Sequence, residues 1–330
     1  MGRWFDSNRA HMSFEDPNLE NVVSESPKDN FERQFAKREY FEVAGGTAEV
    51  VDVSPEKIKD EVPVFLAPAW ACDLGLYKSA METLVNKDRR VVSLEHPRRG
   101  GDLEAGSKEQ SPEELLKKYP TEELRKALNI LSVMEQKHIE KADFFAHSEG
   151  AINTTIAAML HPEKFRNIIF FAPAGLIGED TFTRLIQGFM GQSKRPESIA
   201  DMPITDKEKE DGKAAMQSVL KSLTTNPLRG LKEAVEISKS QIHEMIRYLH
   251  DKGIGIVVMS AVDDPVFPMR EMKKIAKTDM IDGFLSTRGG HGAMDEHIVW
   301  ADKMLTALEG QRQKGVTASG QKHDLSEEFI

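Results

Sequence analysis

One cysteine, Cys72, is all that the 330 residues contain, so an internal disulfide and any multi-cysteine metal site are excluded. No apolar run approaches the roughly 20 residues of a membrane span, and none is expected to cross a bilayer. Positive charge is not in excess either. Asp plus Glu number 54 against 44 Lys plus Arg, a formal charge of -10, which argues against a nucleic-acid partner and for a soluble protein. The opening segment is polar and acidic (Phe14-Glu15-Asp16, Ser24-Glu25-Ser26) and lacks the apolar stretch of a signal peptide, which makes the cytoplasm the expected compartment. There is no internal repeat. The length exceeds what one core usually serves, predicting a domain with a large insertion or two domains.

What the chain does have is a rhythm. Residues 1–37 carry many charges and little periodicity and are expected to form a loosely attached N-terminal arm. Residues 38–53 predict a hairpin, with Tyr40-Phe41-Glu42-Val43, a Gly45-Gly46 turn and Ala48-Glu49-Val50-Val51. Short buried strands are expected at 62–66, 91–94, 144–146, 168–171, 254–259 and 284–286. Helical patterns separate most of them, at 77–86, 121–136, 149–160, 269–276 and 294–308. This alternation predicts an α/β fold with a mostly parallel central sheet flanked by helices.

Residues 176–235 break the alternation. They hold no strand pattern, three helical patterns (181–190, 206–223 and 228–235) and the breakers Gly188, Gly191, Pro196 and Pro203. An all-helical insertion after the sixth strand predicts a lid, dividing the core into 38–175 and 236–310. The polar tail, 311–330, is expected to be flexible.

Phe144 to Ile152 read Phe-Phe-Ala-His-Ser-Glu-Gly-Ala-Ile, an apolar strand that breaks at Ser148 and turns helical. A sharp strand-to-helix turn needs small residues two before and two after its tip, and Ala146 and Gly150 fill those places. Downstream come an acid after an apolar strand, Asp264, and a histidine between glycines, His291. Three further blocks accompany this turn. They are Val64-Phe65-Leu66-Ala67-Pro68-Ala69-Trp70, Val91-Val92-Ser93-Leu94-Glu95-His96-Pro97-Arg98-Arg99-Gly100, and Ser260-Ala261-Val262-Asp263-Asp264-Pro265-Val266-Phe267-Pro268 paired with Gly289-Gly290-His291-Gly292. In this order and spacing the chain resembles the α/β-hydrolase family over residues 38–310.

The resemblance implies roles for these residues. Ser148 would be the nucleophile, His291 its general base and then acid, and Asp264 the carboxylate that holds His291 in one tautomer. Asp264 stands four residues before Pro268, as the family pattern has it, with Asp263 the alternative. The oxyanion hole would use the N–H of Glu149 and one from the loop after the third strand. There the family's His-Gly is replaced by Ala67-Pro68, and Pro68 has no N–H to give. Ala69 is the expected donor, with Trp70 the alternative.

Trp70, His147, Phe182 and Phe189 are candidate substrate contacts. The stripe Phe182, Leu185, Ile186, Phe189 and Met190 either packs the lid onto the body or lines an acyl pocket. Arg98 and Arg99 either bind an anionic substrate or form a salt-bridged face. Cys72 is expected to be a packed side chain near the pocket. No cofactor and no metal is expected, and the partner is a small-molecule ester-type substrate. The implied activity is hydrolysis of a carboxylic ester or related acyl bond by a serine hydrolase. Alternatives are a C–C bond hydrolase or acyltransferase using the same triad, or a hydrolase-fold protein that binds a ligand without turnover.

Overall fold

The computed structural model describes residues 26–98, 112–177, 181–191, 206–292 and 294–313. Eight strands form a single sheet: β1 (Glu39–Val43), β2 (Gly46–Val53), β3 (Val64–Ala67), β4 (Val91–Glu95), β5 (Ala142–His147), β6 (Phe165–Phe171), β7 (Gly255–Ala261) and β8 (Gly283–Thr287). Their order is β1-β2-β4-β3-β5-β6-β7-β8, antiparallel where β2 meets β1 and β4 and parallel from β4 through β8. The expected strands are all present, most of them lengthened at their ends, while the one expected at 62–66 runs over 64–67.

Strands β3, β5 and β7 are buried at every position, as a sheet covered on both faces requires. Their side chains alternate between two cores. Phe65, Phe144, Ile168 and Val258 point to one, beneath helices α4 (Thr121–Gln136), α5 (Gly150–Leu160), α8 (Pro227–Lys239) and α9 (His243–Asp251). Leu66, Phe145, Ile169 and Val257 point to the other, beneath α1 (Pro27–Ala36), α2 (Lys78–Val85) and α11 (Met294–Gln313). The remaining helices are α3 (Pro112–Lys118), α6 (Phe182–Gly191), α7 (Asp206–Thr225) and α10 (Met269–Ile275).

Two segments depart from expectation. Within the expected loose arm, residues 27–36 form α1, capped by Ser26, whose side chain accepts from the Asp29 N–H. Phe31 and Phe35, four apart, stack on each other and are buried in the second core. Gln34 further exchanges two hydrogen bonds with the Ser54 main chain. Two aromatic anchors on one helical face outweigh the polar composition of the segment. The last helix, α11, runs past its expected end at residue 308 to Gln313, three residues into the expected flexible tail.

Candidate active site

The turn between β5 and α5 has Ser148 at its tip with φ of 53°, a left-handed conformation that side chains rarely adopt. The strain is held from several sides. The Ser148 N–H donates to the Phe171 carbonyl on β6 at 2.9 Å, and the Ser148 carbonyl accepts from Ala151 and Ala174. Gly150 lies so close to the loop after β3 that a Cβ there would sit 2.5 Å from the Ala67 carbonyl oxygen and 2.8 Å from that of Pro68. The absent side chain is what lets helix and loop approach.

His291 reaches this tip from the loop after β8. Its Nε2 lies 3.0 Å from Ser148 Oγ and its Nδ1 lies 2.9 Å from Asp264 Oδ2. A carboxylate only accepts, so Nδ1 carries the proton and Nε2 is the acceptor facing the serine. The other Asp264 oxygen accepts from the N–H groups of Val266 and Phe267, at 2.7 and 3.0 Å. All three side chains are buried, and Phe267 packs edge-on against the His291 ring. Asp263, the neighbouring acid, makes no contact of this kind, and its Oδ1 is without a partner.

A second chain of hydrogen bonds runs behind the first. The Ala69 N–H donates to Tyr77 Oη at 2.7 Å, the Tyr77 hydroxyl meets His147 Nδ1 at 2.9 Å, and His147 Nε2 meets the His291 carbonyl at 3.0 Å. The carbonyl can only accept, so His147 is protonated at Nε2 and accepts from Tyr77 at Nδ1. Burial, followed by the nearby His291, pushes the His147 imidazole down to about 3, keeping it neutral.

No family model and no curated protein matches this chain. Solved structures do. An esterase from Exiguobacterium antarcticum superposes with a TM-score of 0.58 at 12% identity, over 83% of this chain and 100% of that one. A thermophilic esterase from Thermogutta terrifontis gives 0.54 at 15%, over 84% and 98%. The enol-lactonase from Burkholderia xenovorans gives 0.56 at 14%, over 82% and 100%. The chain has the α/β-hydrolase fold. The expected mostly parallel sheet flanked by helices is therefore the observed one.

Within this α/β-hydrolase fold, Ser148, Asp264 and His291 meet in one site, and several other expected residues make contacts inside the fold. The Ala69 N–H, the expected oxyanion donor, is instead taken by Tyr77. The Glu149 N–H, at the start of α5, makes no hydrogen bond to a described residue. The Trp70 indole is buried in the core and its N–H donates to Glu233 Oε2 on α8 at 2.9 Å, which ties the loop to that helix. His147 likewise has both ring nitrogens committed inside the fold. The side chains of Phe182, Phe189 and Met190 lie outside those described, as does Arg99. Cys72 is half-buried, and burial pushes its thiol up to about 12, which leaves it unreactive.

Tyr77 and a buried charge cluster were not foreseen. Lys126 of α4 lies 2.5 Å from Glu149 Oε1 and 3.3 Å from Glu233 Oε1, and Arg229 of α8 lies 3.1 Å from Glu122 and Glu233. Burial pushes the Lys126 ammonium down, but Glu149 and Glu233 outweigh it and hold it above the ordinary lysine value. Burial pushes the Glu149 carboxyl up against the opposing pull of Lys126. The only hints in sequence are charges placed at helical spacing beside apolar ones, Glu122, Glu123 and Lys126 on α4, Arg229 and Glu233 on α8. That spacing reads equally as a solvated face.

Proposed function

We propose that this chain is a serine hydrolase that cleaves a carboxylic ester, or a related acyl bond, through an acyl-enzyme. The observation that carries this reading is the pair of contacts that line up Ser148 Oγ, His291 and Asp264 at 3.0 and 2.9 Å, with the serine on a strained turn. His291 Nε2 takes the Ser148 proton as Oγ attacks the carbonyl carbon, and the Asp264 carboxylate stabilises the imidazolium that forms. The Glu149 N–H, at the helix start, donates to the oxyanion. His291 then passes its proton to the departing alcohol, and later removes one from the water that releases the acid. Residues 176–235 act as a lid over the site. In support, Gly188 of α6 lies against the loop that follows Asp264, where a Cβ would stand 2.8 Å from the Pro265 carbonyl oxygen, and Leu185 is buried beside it. Nothing in the described residues is a helix long and apolar enough to cross a membrane, and the substrate is a small molecule.

The test is covalent capture. A fluorophosphonate probe is expected to add once per chain, and Ser148→Ala is expected to abolish labelling. Turnover of p-nitrophenyl esters should fall with it, leaving at most about 10³–10⁴-fold over water. A folded Ser148→Ala protein that still labels and still turns over ester would refute the assignment.

A further inference from the structure

Glu149, the residue after Ser148, borders a small cavity of about 30 Å³, with Ala69 on the same side and His96, Arg98, Lys126 and Arg229 on the others. It opens at the carboxyl ends of β3 and β4, where open α/β sheets receive ligands, and α8 closes it. Its polar atoms are unevenly used. The carboxylates are committed: Glu95 to Arg98 at 2.9 Å, Glu149 to Lys126 at 2.5 Å, and Glu233 to Trp70, Arg229 and Lys126. The donors are not. Among the described residues, Arg98 Nη1, both terminal nitrogens of Arg229 and His96 Nε2 are buried with no partner. His96 is neutral, held well below the ordinary imidazole range by burial and by Lys126 and Arg229. With the Asn129 amide donating to His96 Nδ1, its Nε2 is a donor as well.

Four unpaired buried donor atoms on residues that line one cavity, with no unpaired side-chain acceptor on those same residues, is a costly arrangement, since each unmade bond forfeits about 1–3 kcal/mol. It selects a group that only accepts. The volume is about twice the ~10–15 Å³ that one water-sized oxygen needs, so it holds two oxygens. Two oxygens that only accept, held by guanidinium groups, are what a carboxylate presents. Lys126, Arg98 and Arg229 are balanced by Glu95, Glu149 and Glu233, so the unused N–H groups, not net charge, make the discrimination.

We propose that the cavity of His96, Arg98 and Arg229 binds a carboxylate carried by the substrate, so that the preferred substrates are esters of acidic molecules. This rests on Ser148 being the nucleophile. The experiment measures kcat/KM for mono-p-nitrophenyl succinate, glutarate and adipate, with the carboxylate on the acyl side, and for acetoxybutyrate and acetoxybenzoate, with it on the alcohol side. Each is compared with an isostere ending in a methyl group. At least one acid is expected to exceed its isostere on the order of 10- to 100-fold, the range of a charge-assisted hydrogen-bond pair. The ratio is expected to collapse towards one in Arg229→Lys and in Arg98→Gln. Because the ratio is taken within each variant, a general loss of folded protein cancels, and Arg98, tied among the described residues to Glu95 and Ser218, is the gentler change.

A parallel arm follows the melting temperature of Ser148→Ala with glutarate, which should rise and should not rise in the double variant with Arg229→Lys. Ratios near one for every acid, with no glutarate shift, in a protein that labels at Ser148, mean a water-filled cavity and overturn the subsite alone. Absent labelling and turnover overturn the nucleophile instead, and the glutarate shift then still reports on the cavity.

Discussion

Tyr77 Oη sits between a main-chain donor and an imidazole acceptor, so both of its hydrogen-bonding capacities are used inside the fold. Through them the loop that follows β3 is tied to His147, and through His147 to the main chain of His291. Tyr77→Phe keeps the ring and removes only the hydroxyl. It leaves the Ala69 N–H and His147 Nδ1 buried and unpaired, at about 1–3 kcal/mol for each lost partner. For a chain of this size that corresponds to a fall in Tm of several degrees, at roughly 2–4 °C per kcal/mol. A Tyr77→Phe protein melting within about 1 °C of the parent would mean that water replaces the hydroxyl and that the relay contributes no net stability.

At the scale of elements, the site is a meeting of one turn and three loops, and its tolerance is set by how closely they approach. The turn carries Ser148 at positive φ, and α5 starts against the backbone of residues 67 and 68. Gly150→Ala would place a methyl group 2.5 Å from a main-chain oxygen, which no side-chain rotation can relieve. The predicted outcome is a loss of about 1–3 kcal/mol from overpacking. A larger loss is expected in kcat/KM, about 100-fold, because the loop and the Glu149 N–H move relative to Ser148 Oγ by a sizeable fraction of an ångström. Steady-state kinetics beside a thermal melt separate the two, and a variant with full activity would show that the close approach is incidental to the chemistry. Helix α1 teaches a related lesson. Ten residues with mostly polar side chains become an integral element because Phe31 and Phe35 share one face.

Over the whole molecule, ion pairs join segments far apart in the chain. Arg89, almost fully buried before β4, holds Asp302 at 2.6 Å and Glu309 at 3.0 Å on α11. At the other side of the sheet, His250 of α9 meets Asp282 at 3.2 Å, and Asp282 also accepts from the Ile256 N–H on β7. The hydrogen bond that His250 donates to Asp282 outweighs burial and raises the imidazole above its ordinary value. A raised value means that the folded state favours the proton. The stability is then fully present below the unfolded imidazole value of about 6.5 and is lost as pH rises through the folded value. His250→Gln should therefore lower Tm more at about pH 5.5 than at about pH 8.5. An equal loss at both, by calorimetry, would show that the charged form of the pair contributes nothing.

What the residues alone determined are the features written in contiguous sequence. Strand β3 is a run of apolar residues, α4 spans the predicted 121–136, and the turn at Ser148 is marked by Ala146 and Gly150. These are legible because sheet and helix periods, and the room a sharp turn demands, act over neighbours a few residues apart. What only the tertiary structure decided are pairings between distant residues. Asp264 rather than Asp263 meets His291, the Ala69 N–H goes to Tyr77, and Trp70 of the β3 loop donates to Glu233, 163 residues away. Charges on α4 and α8 that the helical pattern cannot distinguish from a solvated face are buried against one another. A hydrogen bond or a desolvated charge depends on which groups the fold brings within about 3 Å, and that distance exists only after the helices and loops have packed.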